Sequence, residues 1–524
     1  MLKSLDHLRL TPESLNNPKK VAIIDVGSNS FRLIVITYQP HHYFKVTDEV
    51  RENVRLVHGL GATGKLSAPA MDHAVEVMQL YRSFCDSQKI TDIVAAATSA
   101  VRDAANQAEF LRRVEDESGI TVRVLSEAEE AYYGYVAAEN STILENGFVI
   151  DLGGGSLEVT RVENRRSVRA VSFPLGAVRM TEDWLPNAPP GKEALNTLRN
   201  HVRKHLDTIS AWFKHEKGFR LVGQGGSLRN AGRLVQKMKG YPLDELHGYI
   251  VQRDDFQRMV KKMESLTISE RRGIPGMKAD RADIALGGAL VVDECLRFSD
   301  SPQMIVCSQG VREGLFYERF LEGESPSLFE NVRQASVMNM AHLYAFQAEH
   351  GDHVAALALS LFDQVARLTE DPLMTAAERE LLWAACMLHD IGMNIDYNDH
   401  HRHSYYLILN SGLPGYSHRE LALIALATLY HRKGKPSTGE LSGVLETDDD
   451  RRLLKITACL RLAEQLDRSR DGAVREVKLR MRNDAAHLDI YANHDVAVSV
   501  WAAEQHADVF EAAFGSHLEI RRGG

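Results

Sequence analysis

The run Phe148-Val149-Ile150-Asp151-Leu152-Gly153-Gly154-Gly155-Ser156-Leu157-Glu158 restricts what this chain can fold into more than any other stretch. Its apolar front half reads as a buried strand, and the acidic residue and glycines that follow turn the backbone sharply. Such a turn gathers N–H groups into a concavity that suits phosphate. Asp151 and Glu158 flank the same pocket, which suits them to hold Mg²⁺ or to order a water beside the phosphate. Near the N-terminus, Val21-Ala22-Ile23-Ile24-Asp25-Val26-Gly27-Ser28-Asn29-Ser30 repeats this grammar, so the chain reads as internally duplicated.

A chain of 524 residues is too long for one core, so several domains are expected. From Val21 to Leu125, apolar strands alternate with helical stretches, which implies an α/β layer. Ser126-Glu127-Ala128-Glu129 has the spacing of a capping box, so a helix starts there. Capping occupies Glu129 and leaves Glu130 in the first turn of a helix close after a strand end, where α/β folds tend to place active-site groups. A third glycine turn, Gly223-Gln224-Gly225-Gly226-Ser227, follows another apolar strand. Beyond Glu322 the pattern changes to long amphipathic helices, and after Val474 to short alternating strands. The division expected is a tail over 1–19, a first lobe over 20–135, a second over 136–322 whose last helix can return to the first, a helical domain over 323–472, and a small α+β domain over 473–524.

A net charge of -9 argues against a general nucleic-acid binder. The five cysteines are scattered and odd in number, which fits free thiols in a reducing compartment. With neither a signal segment nor a stretch long enough to span a bilayer, a cytoplasmic protein is expected.

The turns at Asp25–Ser30, Asp151–Glu158 and Gly223–Ser227, with Thr98-Ser99-Ala100-Val101-Arg102, Glu129-Glu130-Ala131, Arg281-Ala282-Asp283 and Arg312-Glu313-Gly314, occur in one order over about 300 residues. In this the chain resembles the exopolyphosphatase/guanosine pentaphosphate phosphohydrolase (Ppx/GppA) family. Met387-Leu388-His389-Asp390-Ile391-Gly392 and His401-Arg402-His403-Ser404 look like the third domain of its long form. The resemblance implies duplicated actin-like (ribonuclease H-like) lobes followed by an HD-like all-α domain, and a cleft that cuts terminal phosphates from inorganic polyphosphate or pppGpp. It implies that Glu130 is the catalytic base, that Asp151 and Glu158 serve catalysis and Mg²⁺, and that the protein is a homodimer. Many members carry Asp just before the Arg-Glu-Gly motif, where this chain has Ser308.

Cleavage of a phosphoanhydride has a loose, highly charged transition state, so N–H donors, a cation and an in-line water matter more than a covalent nucleophile. The candidate phosphate ligands are Asp25, Gly27, Ser28, Asn29, Ser30, Gly153, Gly154, Gly155, Ser156, Gly225, Gly226 and Ser227, with Arg102 as a bidentate clamp or a surface cation paired with Asp103. Arg55 and the loop Arg432-Lys433-Gly434-Lys435 each read equally well or better as solvated cations. In the helical domain, His353, His389, Asp390 and Asp467 follow the H…HD…D order of HD-type metal phosphohydrolases, so a second metal site there competes with histidines that merely bond within a core. The expectation is a Mg²⁺-dependent exopolyphosphatase, with pppGpp hydrolysis as the nearest alternative. A sugar kinase or ATPase of the same fold would leave Glu130 unexplained, and a nucleotide-sensing scaffold would leave the front lobes inert.

Overall fold

The first strand shows how the sequence builds its layers. In β1 (Lys19–Val26) the residues Ala22, Ile24 and Val26 enter one apolar core while Val21 and Ile23 enter another, because successive side chains of a strand point to opposite faces. A strand buried on both faces is central, and β1 lies in the middle of a five-stranded sheet ordered β3-β2-β1-β4-β5. Its partners are β2 (Phe31–Gln39), β3 (Tyr43–Glu52), β4 (Ile93–Ala97) and β5 (Val122–Val124). The pairs β1–β2 and β2–β3 are antiparallel, and β1–β4 and β4–β5 are parallel.

The same plan recurs in the second sheet, built from β6 (Gly147–Leu152), β7 (Leu157–Glu163), β8 (Arg166–Phe173), β9 (Arg220–Gln224), β10 (Ile250–Gln252) and β11 (Gln303–Val306). The order β8-β7-β6-β9-β11 reproduces that of the first sheet, with β10 added antiparallel at the edge. The duplicated α/β arrangement expected from the sequence is therefore present. Between the sheets lies a shared core: Val21, Ile23 and Ile34 from the first, Val149 and Val222 from the second, and Tyr135, Val136, Leu315 and Phe316 from two helices, Glu127–Glu139 and Val311–Phe320. The lobe boundary expected at 135/136 falls inside the first of these helices.

This computed structural model describes residues 18–482 and 485–523. Apart from Pro18 and Lys19, which begins β1, the expected tail lies outside the described residues. The chain divides into two compact units. One runs to Tyr241 and resumes over Leu246–Val332, holding both sheets; the other takes Pro242–Glu245 and everything from Arg333. The second unit contains the helices Ala348–Thr369, Ala376–Leu388, His400–Ser411, His418–Tyr430 and Asp449–Leu466. It ends in a three-stranded sheet of β12 (Val474–Arg482), β13 (Ala485–Ala492) and β14 (His517–Arg522). Two short helices, Ala497–Glu504 and Ala507–Phe514, precede its last strand. All five cysteines are buried and free, and no helix among the described residues is long and apolar enough to cross a membrane.

Candidate active site

Both glycine turns that close β1 and β6 are hairpin turns, and pairing register decides what they present. Across β1–β2, Asp25 stands opposite Arg32; across β6–β7, Asp151 stands opposite Glu158. Residues directly opposed in an antiparallel pair project from the same face, so each Asp has a charged companion on its own side of the sheet. The turns also touch each other. A Cβ on Gly154 would lie 3.2 Å from the Ser28 Cβ, and one on Gly155 would lie 2.5 Å from the Ser99 Oγ, which is itself 3.0 Å from Ser28 Oγ. A side chain on Gly155 would displace the Ser99 hydroxyl, and one on Gly154 would press on Ser28. Gly225 is required for another reason: its φ is +97°, and a Cβ would meet the Leu152 carbonyl oxygen at 2.2 Å.

These turns line one cavity of about 130 Å³. Of the residues singled out in the sequence, Asp25, Gly27, Ser28, Asn29, Ser30, Glu130, Asp151, Gly153, Gly154, Ser156, Gly225, Gly226 and Ser227 face it. Glu158 lies just behind, buried, and accepts a hydrogen bond from Ser172 Oγ at 2.8 Å. Gly155 packs against the hydroxyls of Ser28 and Ser99. Ser308 also lines the cavity; its carbonyl accepts from Arg229 Nη1 at 2.8 Å and its N–H donates to His247 Nδ1.

Burial sets the electrostatics. It pushes the Glu130 carboxyl up to about 7 against the pull of Arg102, with Asp151 and Asp25 adding to the rise. Asp151 is pushed up to about 6, again by burial first, with Arg229 opposing and Asp25 and Glu313 assisting. Asp25 is raised by burial against Arg312 and Arg32, and Glu158 is raised by burial and by Glu130 and Asp151. Four carboxyl groups thus gather in one place and hold each other's protons on.

On the other side stand Arg32, Arg229, Arg281 and Arg312, which sequence reasoning did not place in the site. Burial and the neighbouring arginines lower Arg32 to about 9. Burial, then Arg51 and Arg229, lower Arg281 to about 10. Burial works against the charge of Arg312 as well, but Glu313, Asp25 and Glu49 outweigh it. Arg32 could have been found by aligning Asp25-Val26-Gly27-Ser28-Asn29-Ser30-Phe31-Arg32 with Asp151-Leu152-Gly153-Gly154-Gly155-Ser156-Leu157-Glu158, where the eighth residue is Arg in one copy and Glu in the other.

Arg102 does not take the clamping place expected of it. Its Nη1 donates to Glu130 Oε2 at 2.8 Å and to the Leu125 carbonyl at 2.9 Å, and its Nε lies 3.9 Å from Asp103 Oδ1, so the side chain is engaged with the candidate base. The cause is local. The short helix Ser99–Arg102 ends beside the start of helix Glu127–Glu139, where a buried carboxylate needs a partner. Arg55 pairs with Asp283 at 2.9 Å while remaining half exposed.

The model of the Ppx/GppA phosphatase family matches residues 34–322, and that of its domain III matches residues 332–503. The chain belongs to this family. Among solved structures, the family member from Aquifex aeolicus is 27% identical, with a TM-score of 0.51 over 59% of this chain and all of that one. An exopolyphosphatase from Cytophaga hutchinsonii is 22% identical, with a TM-score of 0.54 over 58% of this chain and 98% of its own, which is a likeness of fold.

In the second unit of this phosphatase, the histidine expected to join His389, Asp390 and Asp467 is displaced by one helical turn. His353 Nε2 bonds the Val474 carbonyl at 2.7 Å, so the ring is tied to β12. His350 instead faces His389, with its Nδ1 2.7 Å from Asp467 Oδ2 and its Nε2 3.0 Å from Glu464 Oε2. Both histidines lie on helix Ala348–Thr369 and both reach Asp467; only the rotation of that helix separates them. In the basic loop, Lys433 pairs with Asp399 at 3.2 Å and Arg432 lies over the Tyr397 ring at 5.5 Å.

Proposed function

We propose that the chain hydrolyses the terminal phosphoanhydride of inorganic polyphosphate, releasing orthophosphate. The observation that carries this reading is the set of four guanidinium groups, of Arg32, Arg229, Arg281 and Arg312, lining one cavity: burial first, and then their mutual repulsion, lower the pKa of Arg32, Arg229 and Arg281. A ligand made wholly of phosphates relieves that repulsion at each step along its length.

In this reading the terminal phosphate sits on the N–H groups of the two facing turns, with its oxygens toward the arginines. Glu130 accepts a proton from a water as that water's oxygen bonds the terminal phosphorus. The bond from phosphorus to the bridging oxygen breaks, and the shortened chain leaves with that oxygen. A carboxyl pushed up to about 7 suits this role, being about half ionised at neutral pH and basic enough to take the proton. The partner behind Glu130 is a cation: Arg102 fixes the carboxylate through its hydrogen bond and favours the charged form that must receive the proton.

The carboxylates also fit a divalent cation. Asp25, Asp151 and Glu158 are oxygen donors of the kind that Mg²⁺ takes, and burial is the largest cause of their raised pKa values, so a cation among them would offset the cost of ionising them there. Mg²⁺ held by these residues would draw electron density from the phosphate oxygens and ease departure of the shortened chain. The test is orthophosphate release from long polyphosphate and from pppGpp, on the wild type and on Glu130→Gln. Faster release from polyphosphate, lowered about 10²–10⁴-fold by the substitution, is the expected result. Equal rates for the two proteins would overturn the assignment of the base, and a faster reaction with pppGpp would overturn the choice of substrate.

A further inference from the structure

We propose that the second unit holds a pair of divalent transition-metal ions, one on His350, His389 and Glu464 and the other on Asp390, His400 and His431. The proposal is independent of the front cavity. All six side chains are buried, and within each triad the donor atoms lie within 4.8 Å of one another.

The hydrogen bonds on the outer edge of the cluster decide the matter. His389 Nδ1 faces the Cys386 carbonyl at 2.6 Å, His400 Nδ1 the Tyr397 carbonyl at 2.9 Å, and His431 Nδ1 the Thr428 carbonyl at 2.7 Å. His350 Nδ1 faces Asp467 Oδ2 at 2.7 Å. A carbonyl or carboxylate oxygen only accepts, so every Nδ1 carries the hydrogen. In the neutral ring the other nitrogen is then a bare lone pair, and all four Nε2 atoms turn inward. This is the outer-sphere arrangement that orients metal-binding histidines.

With the rings neutral, acceptors face acceptors inside. His400 Nε2 and His431 Nε2 are 3.2 Å apart, and Asp390 Oδ1 is 3.0 Å from the first and 3.7 Å from the second. Among the described residues, nothing donates a hydrogen bond to that buried oxygen. In the other triad, Glu464 Oε2 is 3.0 Å from His350 Nε2 and 3.1 Å from His389 Nε2. Donor atoms around a tetrahedral ion with bonds of about 2.1 Å are about 3.4 Å apart, so both triads need only small adjustments to close on a cation. Asp390 joins them, since its carboxylate oxygens also lie 3.7 Å from His389 Nε2 and 3.8 Å from His350 Nε2. Three carboxylates, of Asp390, Glu464 and Asp467, stand among these rings, with the guanidinium of Arg470 paired to Asp390, so with the rings neutral a cation would meet net negative charge. Imidazole-rich donors select Mn²⁺, Fe²⁺, Co²⁺ or Zn²⁺ over Mg²⁺.

The full-length chain, stripped with chelator and dialysed against Co²⁺ in excess Mg²⁺ to fill oxygen-donor sites, tests this. Two equivalents of Co²⁺ are expected per chain. His350→Gln and His431→Gln should each lose one equivalent, and Asp390→Asn should weaken both by at least tenfold. His353→Gln should keep two. Far-UV circular dichroism checks that each variant is folded, and histidine-nitrogen coupling in the pulsed EPR of the Mn²⁺-loaded wild type gives a readout that needs no variant. A single equivalent in the wild type, a stoichiometry unmoved by Asp390→Asn, or Mn²⁺ without histidine coupling overturns the proposal.

Discussion

Arg102 donates a hydrogen bond from Nη1 to Glu130 Oε2 over 2.8 Å, and so ties the end of one short helix to the acid that begins another. Burial holds the Glu130 proton on until about pH 7, and Arg102 is the largest influence drawing it off. If Glu130 must be ionised to accept a proton from water, activity rises as pH rises through about 7. Removing the guanidinium in Arg102→Met raises the carboxyl further, so the acid limb of the kcat/KM profile should move to higher pH. A limb that stays in place in the variant would show that some other group sets it.

The four cavity arginines divide by what they can lose. Arg32 faces the cavity beside Asp25, and among the described residues its ion pair is a long one, with Glu49 at 3.8 Å, so Arg32→Ala removes a ligand for substrate without breaking a close ion pair. A charged hydrogen bond lost from the bound state is worth about 1.5–3 kcal/mol, so kcat/KM for polyphosphate should fall by about 10–100-fold. The activity of the wild type should also fall with added salt, and that dependence should be shallower in the variant. Steady-state kinetics at two ionic strengths measure both effects.

Gly176 and Gly191 offer a matched pair. Each precedes a helix, with φ of -62° and -69°, so alanine is free of backbone strain at both. Their surroundings differ. A Cβ on Gly176 would lie 2.3 Å from backbone atoms of Gly154 and Gly155 in the phosphate turn, whereas one on Gly191 meets nothing within 4 Å. Gly176→Ala should therefore cost about 1–3 kcal/mol of stability and distort the turn, lowering kcat. Gly191→Ala should stay within about 0.5 kcal/mol of the wild type. Urea unfolding and phosphate release, measured on both variants, test the contrast.

What the sequence reveals about this chain follows from how local each cause is. The turns at Asp25 and Asp151 are legible because a buried strand, an acid and glycines are consecutive. The capping box at Ser126 is equally local, and Glu129 does accept from the Ser126 N–H at 2.8 Å. Arg32 is hidden in the apolar run Phe31–Ile36, and only its pairing with Asp25 turns it toward the cleft. Arg229, Arg281 and Arg312 come from distant elements that the fold alone brings together. The strands β3 and β8 escape detection because they are sheet edges, exposed along most of their length, and so lack the alternation that burial of one face imposes. His350 and His353 are indistinguishable by residue type, and helix rotation chooses between them.

The pair Arg165–Glu139 tests the interior of the first unit at a place remote from the cavity lining. Arg165 Nε donates to Glu139 Oε1 at 2.6 Å, and Glu139 is only 1% exposed. Burial raises the Glu139 carboxyl to about 7 in spite of Arg165, well above its value of about 4.3 in an unfolded chain. Because the folded state holds the proton more tightly, this group's contribution to stability is full below about pH 4 and is lost as pH rises through about 7. Arg165→Met removes the charge that offsets the ionised form at close range. At pH 8 the variant should lose about 3–5 kcal/mol, the cost of stranding a buried charge. At pH 5 the folded carboxyl is protonated, and the loss should shrink toward the roughly 1 kcal/mol apiece of the hydrogen bonds that Arg165 donates to Glu139 and to the Phe329 and Glu330 carbonyls. Urea unfolding at the two pH values measures the difference, and Glu139→Gln in the same background should abolish its pH dependence. A loss that is equal at both pH values would mean that Glu139 is ionised throughout.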